Sequence, residues 1–296
     1  MQPNISLIAS AVRIPLFFDF INSLKDTTEP VEVVFSGNKK PDGEWYEELW
    51  KTSPECLVDF KYIETENIKP AQCYEISRRN AIGEVVVWCA DDCEWPNDIL
   101  GKAYKYWKSK NNEKLILSLQ TKESGYKEPE GVFDMNQHRF FGFCPDSPLM
   151  APLAMISRNF LKDLGGFDRR YVCGQYENSC VMKAYQNGAT VEIFGDKNCF
   201  IEIRHLEKSK LIGESVTDED FLNRPFATSY NHDRKILENS WTVIDHHSLM
   251  SMLHQGIHNI PMTSIKKISK VQLDEHEPYS DDDLLTKSQS HKGIWE

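Results

Sequence analysis

Residues 83–92, Gly-Glu-Val-Val-Val-Trp-Cys-Ala-Asp-Asp, constrain the fold of this chain more than any other stretch. Val85 to Ala90 is an unbroken apolar run of the kind that a strand buried on both faces requires. It delivers two adjacent carboxylates, Asp91 and Asp92, at its C-terminal end. In open α/β sheets, ligands bind at the carboxyl ends of the strands. Two acids there are costly unless a cation neutralises them. Oxygen ligands suit Mg²⁺ or Mn²⁺, and a metal held this way is placed to grip a diphosphate. The plainer alternative is that the two acids open a solvated loop.

The surrounding pattern supplies the sheet. Apolar strand-like runs at 5–9, 31–35, 56–63, 85–90 and 115–119 alternate with helical periodicity at 15–24, 70–82 and 98–107. That alternation predicts βα units, a largely parallel twisted sheet and helices on both faces. Residues 121–148 change character, being rich in Gly, Pro, Lys and Glu with Phe140, Phe141 and Phe143 as an aromatic patch, and read as a long loop. Order returns with strand-like segments at 149–156, 191–194 and 200–203 and helices at 159–164 and 177–187. The division expected is a catalytic α/β domain over 1–205 and a helical or irregular extension over 206–296.

Charge and cysteine content narrow the function. A formal charge of −11 over 296 residues argues against a nucleic-acid partner, because phosphate contacts need clustered Lys and Arg. An acidic protein that handles a phosphorylated ligand must bring a metal or concentrate its few cations locally. No apolar run approaches the roughly 20 residues that span a bilayer, and residues 1–4 lack the basic flank of a signal peptide. The 8 cysteines are dispersed, without zinc-site spacing, and read as reduced thiols. A cytoplasmic protein is the expectation.

Four blocks in order carry a family resemblance. They are Ser6 to Arg13, then Ser77-Arg78-Arg79-Asn80-Ala81, then Val87 to Leu100 with Trp95-Pro96-Asn97-Asp98-Ile99-Leu100, and Leu164-Gly165-Gly166-Phe167-Asp168 followed by Tyr176-Glu177-Asn178. Over residues 5–205 the chain resembles the GT-A glycosyltransferases, closest to the family 2 type. The resemblance implies a Rossmann-like GT-A fold. It implies transfer of a sugar from a nucleoside-diphosphate sugar, UDP-sugars favoured, to a hydroxyl of a glycan or other acceptor. It also implies a divalent cofactor, Mn²⁺ or Mg²⁺, acting on the diphosphate leaving group.

The resemblance distributes roles by position. Ala90-Asp91-Asp92 covers the family's Asp-x-Asp, so its first acid is Ala90 here. Asp92 becomes the metal ligand and Asp91 a ribose hydroxyl acceptor. His205, after the strand-like 200–203, completes the metal site. Ser10 and Arg13 line the nucleotide pocket after the first strand. Arg79 points to the base or phosphates, and Asn38 stands where relatives carry a base-binding Asp. Asp168 fixes a turn or binds an acceptor hydroxyl, and Trp95 is a candidate sugar-stacking residue with a core role as the alternative. Arg224, His232, Asp233 and Trp241 belong to a segment expected to fold over the donor site.

The fourth block carries the reaction. The usual base position, the second acid of Glu-Asp, is Asn178, and Asn cannot take a proton. Glu177, one residue earlier, is then either the base of an inverting enzyme or an orienting group in a retaining one; loss of activity is the third possibility. At a helix start the dipole favours the charged carboxylate, which makes Glu177 a weak base. Two other functions compete: an inactive GT-A-like carbohydrate- or nucleotide-binding protein, suggested by Ala90 and Asn178, and a sugar nucleotidyltransferase. The latter wants a Gly-rich loop after the first strand, and Ser10-Ala11-Val12-Arg13 has no glycine.

Overall fold

The computed structural model describes residues 1–11, 13–37, 40–65, 70–123, 149–168, 170–171, 174–196, 198–203 and 233. The chain opens β1 (Ile5–Ser10), α1 (Ile14–Asn22), β2 (Val31–Gly37), α2 (Gly43–Thr52), β3 (Leu57–Glu64), α3 (Pro70–Asn80) and β4 (Val85–Trp88). It continues through β5 (Cys93–Glu94), α4 (Ile99–Ser109), β6 (Leu115–Leu119), β7 (Thr121–Glu123), β8 (Ala154–Ser157), α5 (Arg158–Asp163), α6 (Tyr176–Gln186), β9 (Thr190–Phe194) and β10 (Ile201–Ile203).

Among the described residues, seven strands form one sheet in the order β3-β2-β1-β4-β8-β6-β9. All pairings are parallel except those of β8, which runs antiparallel to both β4 and β6. The sheet is therefore α/β and mostly parallel, as the alternating pattern predicts. Strand alternation sorts side chains into two layers. Leu7, Val85 and Val87 face α1, α2 and α4 through Phe17, Phe20, Leu49, Leu100 and Trp107. Ile8, Val86 and Trp88 face α3, α5 and α6 through Tyr74, Leu161, Phe167 and Val181. Strands flanked on both faces need the near-continuous hydrophobicity that Val85 to Trp88 shows.

The connections β1-α1-β2-α2-β3 run outward in one direction, after which the chain returns through α3 to lay β4 on the other side of β1. The strand order therefore reverses between β1 and β4. Such a reversal opens a crevice at the carboxyl ends of the two strands, and ligands of open α/β sheets bind there.

Several segments differ from expectation. Helix α2 is not read from apolar periodicity, because it fully buries only Leu49 and packs Trp45 and Tyr46 partly buried against the core. Its signal is a cap: the Asp42 side chain accepts from the Trp45 backbone N–H at 2.8 Å. The segment expected as a strand over 149–156 pairs in the main sheet only from Ala154 onward, since 151–153 instead supply carbonyls to Trp88 and to Leu119. Residues 140–143 and the helix expected near 248–254 lie outside the described residues, as do Arg224, His232 and Trp241. Among the described residues no helix is long and apolar enough to cross a membrane.

Candidate active site

The crevice between β1 and β4 is closed by one arginine. After β1, the Ala11 backbone N–H donates to the Ser36 carbonyl at 2.9 Å, and the Tyr62 hydroxyl donates to the Ala11 carbonyl at 2.8 Å. Gly37 has no side chain to obstruct this, and a Cβ there would meet the Tyr62 hydroxyl at 2.6 Å. The loop so fixed presents Arg13 to the end of β4. The Arg13 backbone N–H donates to Asp91 Oδ2 at 3.0 Å, and Nε donates to Asp91 Oδ1 at 2.8 Å. Nη2 also reaches Asp91 Oδ1, while Nη1 donates to Asp92 Oδ2 at 2.9 Å.

Both acids are buried, at 1% and 4% exposure, so their pairing matters far more than a surface ion pair. Burial disfavours the Arg13 charge, but Asp91 and Asp92 outweigh it and raise the guanidinium above its ordinary value. The sequence alone called for a cation here, and the chain supplies one itself. The solvated-loop alternative for Asp91 and Asp92 is excluded by their burial.

An aromatic cluster ties this turn to α6. The Tyr74 hydroxyl on α3 donates to the Cys89 carbonyl, just before the acid pair. Tyr74 packs against Tyr176 at 5.0 Å and Phe167 at 5.9 Å between ring centroids, and Phe167 packs edge-on to Trp88 at 5.6 Å. Tyr176 is the first residue of α6, so the cluster sets the position of Glu177 in the first helical turn.

Glu177 behaves unlike the strand acids. Its Oε2 is buried with no hydrogen-bond partner among the described residues. Burial pushes its carboxyl up to about 7; its own backbone N–H opposes this, and the charge of Asp233 adds to it. The expectation that the helix dipole leaves Glu177 a weak base is therefore corrected: desolvation and a neighbouring acid dominate the dipole. Asp233 is fully buried, and its Oδ2 accepts the Gly174 backbone N–H at 2.8 Å, three residues before Glu177. Asn178 turns back to the helix start, where Nδ2 donates to Gln175 Oε1 at 2.8 Å.

The Gly165-Gly166 turn is held from two sides. Glu75 Oε2 accepts the Phe167 backbone N–H at 3.0 Å, and Glu75 also receives Arg78 at 2.6 and 2.8 Å and Arg79 at 2.8 Å. Burial alone would push Glu75 up, but the two guanidinium groups hold it below its ordinary value. From α6, Lys183 Nζ donates to the Gly166 carbonyl at 2.9 Å, and burial lowers its pKa. Gly165 and Gly166 have φ of +81° and +71°, which glycine adopts at little cost.

The residues expected at the site divide as follows. Arg13, Asp91 and Asp92 converge directly. Ser10 ends β1 in register with Ser36, one residue before the held Ala11. Arg79 is engaged by Glu75 on α3. Asp168 is buried and grips Arg170 through Nη2 at 2.7 Å and its backbone N–H at 2.9 Å, which fixes the turn after Phe167. Trp95 is a correction: it is fully buried, packs edge-on to Phe20 at 5.7 Å, and has no face to offer a sugar. The core alternative holds because the residue lies under β5, on the layer filled by α1. Asn38 and His205 lie outside the described residues. β10, which ends two residues before His205, pairs with β5, immediately after Asp92.

Sequence reasoning missed Glu75 and Lys183. A Glu at i with Arg at i+3 and i+4 is visible on α3, but it reads as a solvated helix face until burial is known.

No protein-family model and no curated protein matches the chain. Solved structures do. The residue 1–349 fragment of S. aureus TarS in complex with UDP-GlcNAc aligns over 86% of this chain and 72% of its own length, at 19% identity and a TM-score of 0.55. The mannosyltransferase PcManGT from Pyrobaculum calidifontis, in complex with GDP-Man and Mn²⁺, aligns over 87% of this chain and 70% of its own, at 18% identity and a TM-score of 0.53. Against the longer S. aureus TarS structure the chain spans 54% of that protein, at 16% identity and a TM-score of 0.52. The strand order, the antiparallel β8 within the seven-stranded sheet and these likenesses agree, and the chain has the GT-A fold.

Proposed function

We propose that the protein is a glycosyltransferase that moves a sugar from a nucleoside-diphosphate sugar to a hydroxyl of a glycan or other acceptor. The observation that carries this is one arrangement. A cation-paired carboxylate cluster stands at the strand-order reversal, and an aromatic bridge connects it to a carboxyl whose proton affinity is set near neutrality. The first end suits a diphosphate and the second suits a hydroxyl proton.

Asp91 and Asp92 fit a hard divalent ion such as Mn²⁺ or Mg²⁺, since their oxygens are buried at a strand end and already draw a cation, Arg13. Asp92 would hold the ion, and His205 is the second ligand we assign by its place in the sequence after β10. When bound, such an ion supplies Lewis-acid stabilisation of the departing diphosphate. Asp91 orients Arg13 and accepts a ribose hydroxyl on the same carboxylate. Ser10, Asn38 and Arg79 complete the nucleotide pocket, and Asp168 sits on the acceptor side. Glu177 takes the acceptor proton, because the Asn178 carboxamide has no basic atom to receive it. We assign 1–205 as the catalytic domain and 206–296 as an extension, tied to it through Asp233, which accepts the Gly174 backbone N–H.

UDP is the first nucleotide to test, since the TarS fragment is solved with UDP and with UDP-GlcNAc, and GDP the second, after the GDP-Man complex. Calorimetric titration with each, with and without Mn²⁺, followed by a donor-hydrolysis screen, decides the reading. Asp92→Ala should abolish metal-dependent nucleotide binding. UDP or GDP binding by that variant in EDTA as tight as by wild type with Mn²⁺ overturns the assignment, and binding without turnover of any donor marks a binding protein instead of an enzyme.

A further inference from the structure

Helix α6 carries Glu177 in its first turn, yet no side chain caps that turn, and its N-cap, Gln175, has a φ of +64°. Packing holds the helix start instead. The Tyr176 ring lies 5.0 Å from Tyr74 and 5.7 Å from Phe167 between centroids. Phe167 is itself placed through its backbone N–H, which donates to Glu75 Oε2 on α3 at 3.0 Å. Further along α6, about 9 Å from Glu177 by helical rise, Lys183 Nζ donates to the carbonyls of Gly166 at 2.9 Å and Leu164 at 3.4 Å. The turn 164–167 is thus tied to α3 by a buried carboxylate and to α6 by a buried ammonium. The tie to α3 is close, since a Cβ on Gly166 would collide with Glu75 Oε2.

A buried ammonium is a costly tie. Burial lowers the Lys183 pKa, and its hydrogen bonds among the described residues go to main-chain carbonyls, with Asp168 and Glu75 easing the charge from farther off. An apolar side chain of similar length would fill the same space at lower cost. What the ammonium adds is direction: it fixes α6 along its axis against a turn that Glu75 fixes to α3. Resting on the reading of Glu177 as the base, we propose that Lys183 and Glu75 are positioning residues that hold Glu177 at its depth through the turn 164–167. Cutting the tie lets the start of α6 ride away from Tyr74. Water then reaches Glu177, and the carboxylate loses its aim at the acceptor hydroxyl.

Lys183→Met tests this, because the thioether side chain suits burial and lacks the N–H donors. Around Glu177 the titratable groups are Asp233 and, on α6, Tyr176 and Cys180. Removing a positive charge from α6 can by itself only raise the Glu177 carboxyl, whereas admitting water lowers it. A purely structural role predicts a lower melting temperature, whereas exchange of a buried ammonium for an apolar chain leaves it unchanged or higher. Carbon-13 NMR of the full chain labelled in glutamate carboxyls reads the titration without turnover, with the Glu177 signal identified by its absence in Glu177→Gln. Wild-type Glu177 should titrate at about 7 and the Lys183→Met protein clearly lower, with its melting temperature kept. On the active donor, kcat should fall about ten- to a hundredfold with donor KM kept. Glu75→Gln should act in the same direction, and the two together no more than the stronger one, because both work through one turn. If circular dichroism shows Lys183→Met unfolded, Lys183→Gln carries the same sign test. A Glu177 titration that is unmoved or raised in the folded variant overturns the proposal, and fully additive shifts remove Glu75 from it. A lowered titration with no donor turned over overturns only the glycosyltransferase reading. Turnover lost in Glu177→Gln but untouched in Lys183→Met overturns only the positioning.

Discussion

Replacing Glu177 by glutamine keeps the shape of the side chain and removes its titratable group. In the wild type this carboxyl titrates near 7 instead of its ordinary 4.5. The difference corresponds to about 3 kcal/mol carried by the ionised form, an upper figure because the side chain is only partly covered. The sign follows from linkage. The folded state binds this proton more tightly than the unfolded state, so the stability the group contributes is full below pH 4.5 and declines as pH rises to about 7. Above that, folding holds a desolvated carboxylate beside Asp233, only partly offset by backbone N–H groups. Glu177→Gln should abolish this decline and melt higher than wild type at about pH 8. The same variant should lose roughly 10²–10⁴ in turnover, the usual weight of a positioned base, with donor affinity kept.

The pH dependence of kcat/KM separates a base from a structural group. Wild type should rise with slope one on the acid side and bend near 7, where Glu177 becomes able to accept a proton. Glu177→Gln should show residual activity without that bend. Product anomeric configuration by NMR completes the assay, with inversion expected. A profile flat from about pH 5 to about pH 9, a fully active glutamine variant, or a retained anomer would refute the base role.

Further outcomes follow from the same geometry. Asp233→Asn removes the like charge that helps raise Glu177 and should move the acid-side bend of the rate profile to lower pH; an unmoved bend means Asp233 has no electrostatic reach to the base. Gly166→Ala forces a Cβ onto a φ of +71° and into Arg78 Nε at 2.7 Å, so urea denaturation should report a loss of about 1–3 kcal/mol. Trp95→Ala should cost about 3–5 kcal/mol by opening a cavity beside Phe20. It should leave the acceptor KM of surviving enzyme unchanged, and a selective KM rise would restore Trp95 to the sugar site.

The sheet was legible because its evidence is local. Val85 to Trp88 must be buried on both faces whatever surrounds it, and the helical periodicities between strands leave few topologies. The antiparallel run of β8 was not legible, since no periodicity distinguishes a parallel from an antiparallel buried strand. Trp95 shows the limit for aromatics: its place in an acceptor-side motif and its place under β5 look the same in sequence, and only burial separates them. Arg13 was visible as a residue of the first block, but its partners lie 78 and 79 positions away, beyond any local pattern.

Charge compensation is what then distinguishes the two ends of the site. The acids at the end of β4 meet a guanidinium whose planar fork spans both. The acid at the start of α6 meets buried aromatic neighbours, its own backbone N–H and another acid. The first environment holds anionic oxygens ready for a cation or for a cation's ligand. The second raises proton affinity to the range in which a carboxyl both loses and regains a proton at neutral pH. One short aromatic bridge, Tyr74 to Tyr176, fixes the spacing between them. A substitution at Tyr74 should therefore disturb both ends together, whereas Arg13 and Asp233 each tune one end alone. That asymmetry follows from packing, and the order of the sequence blocks would not have disclosed it.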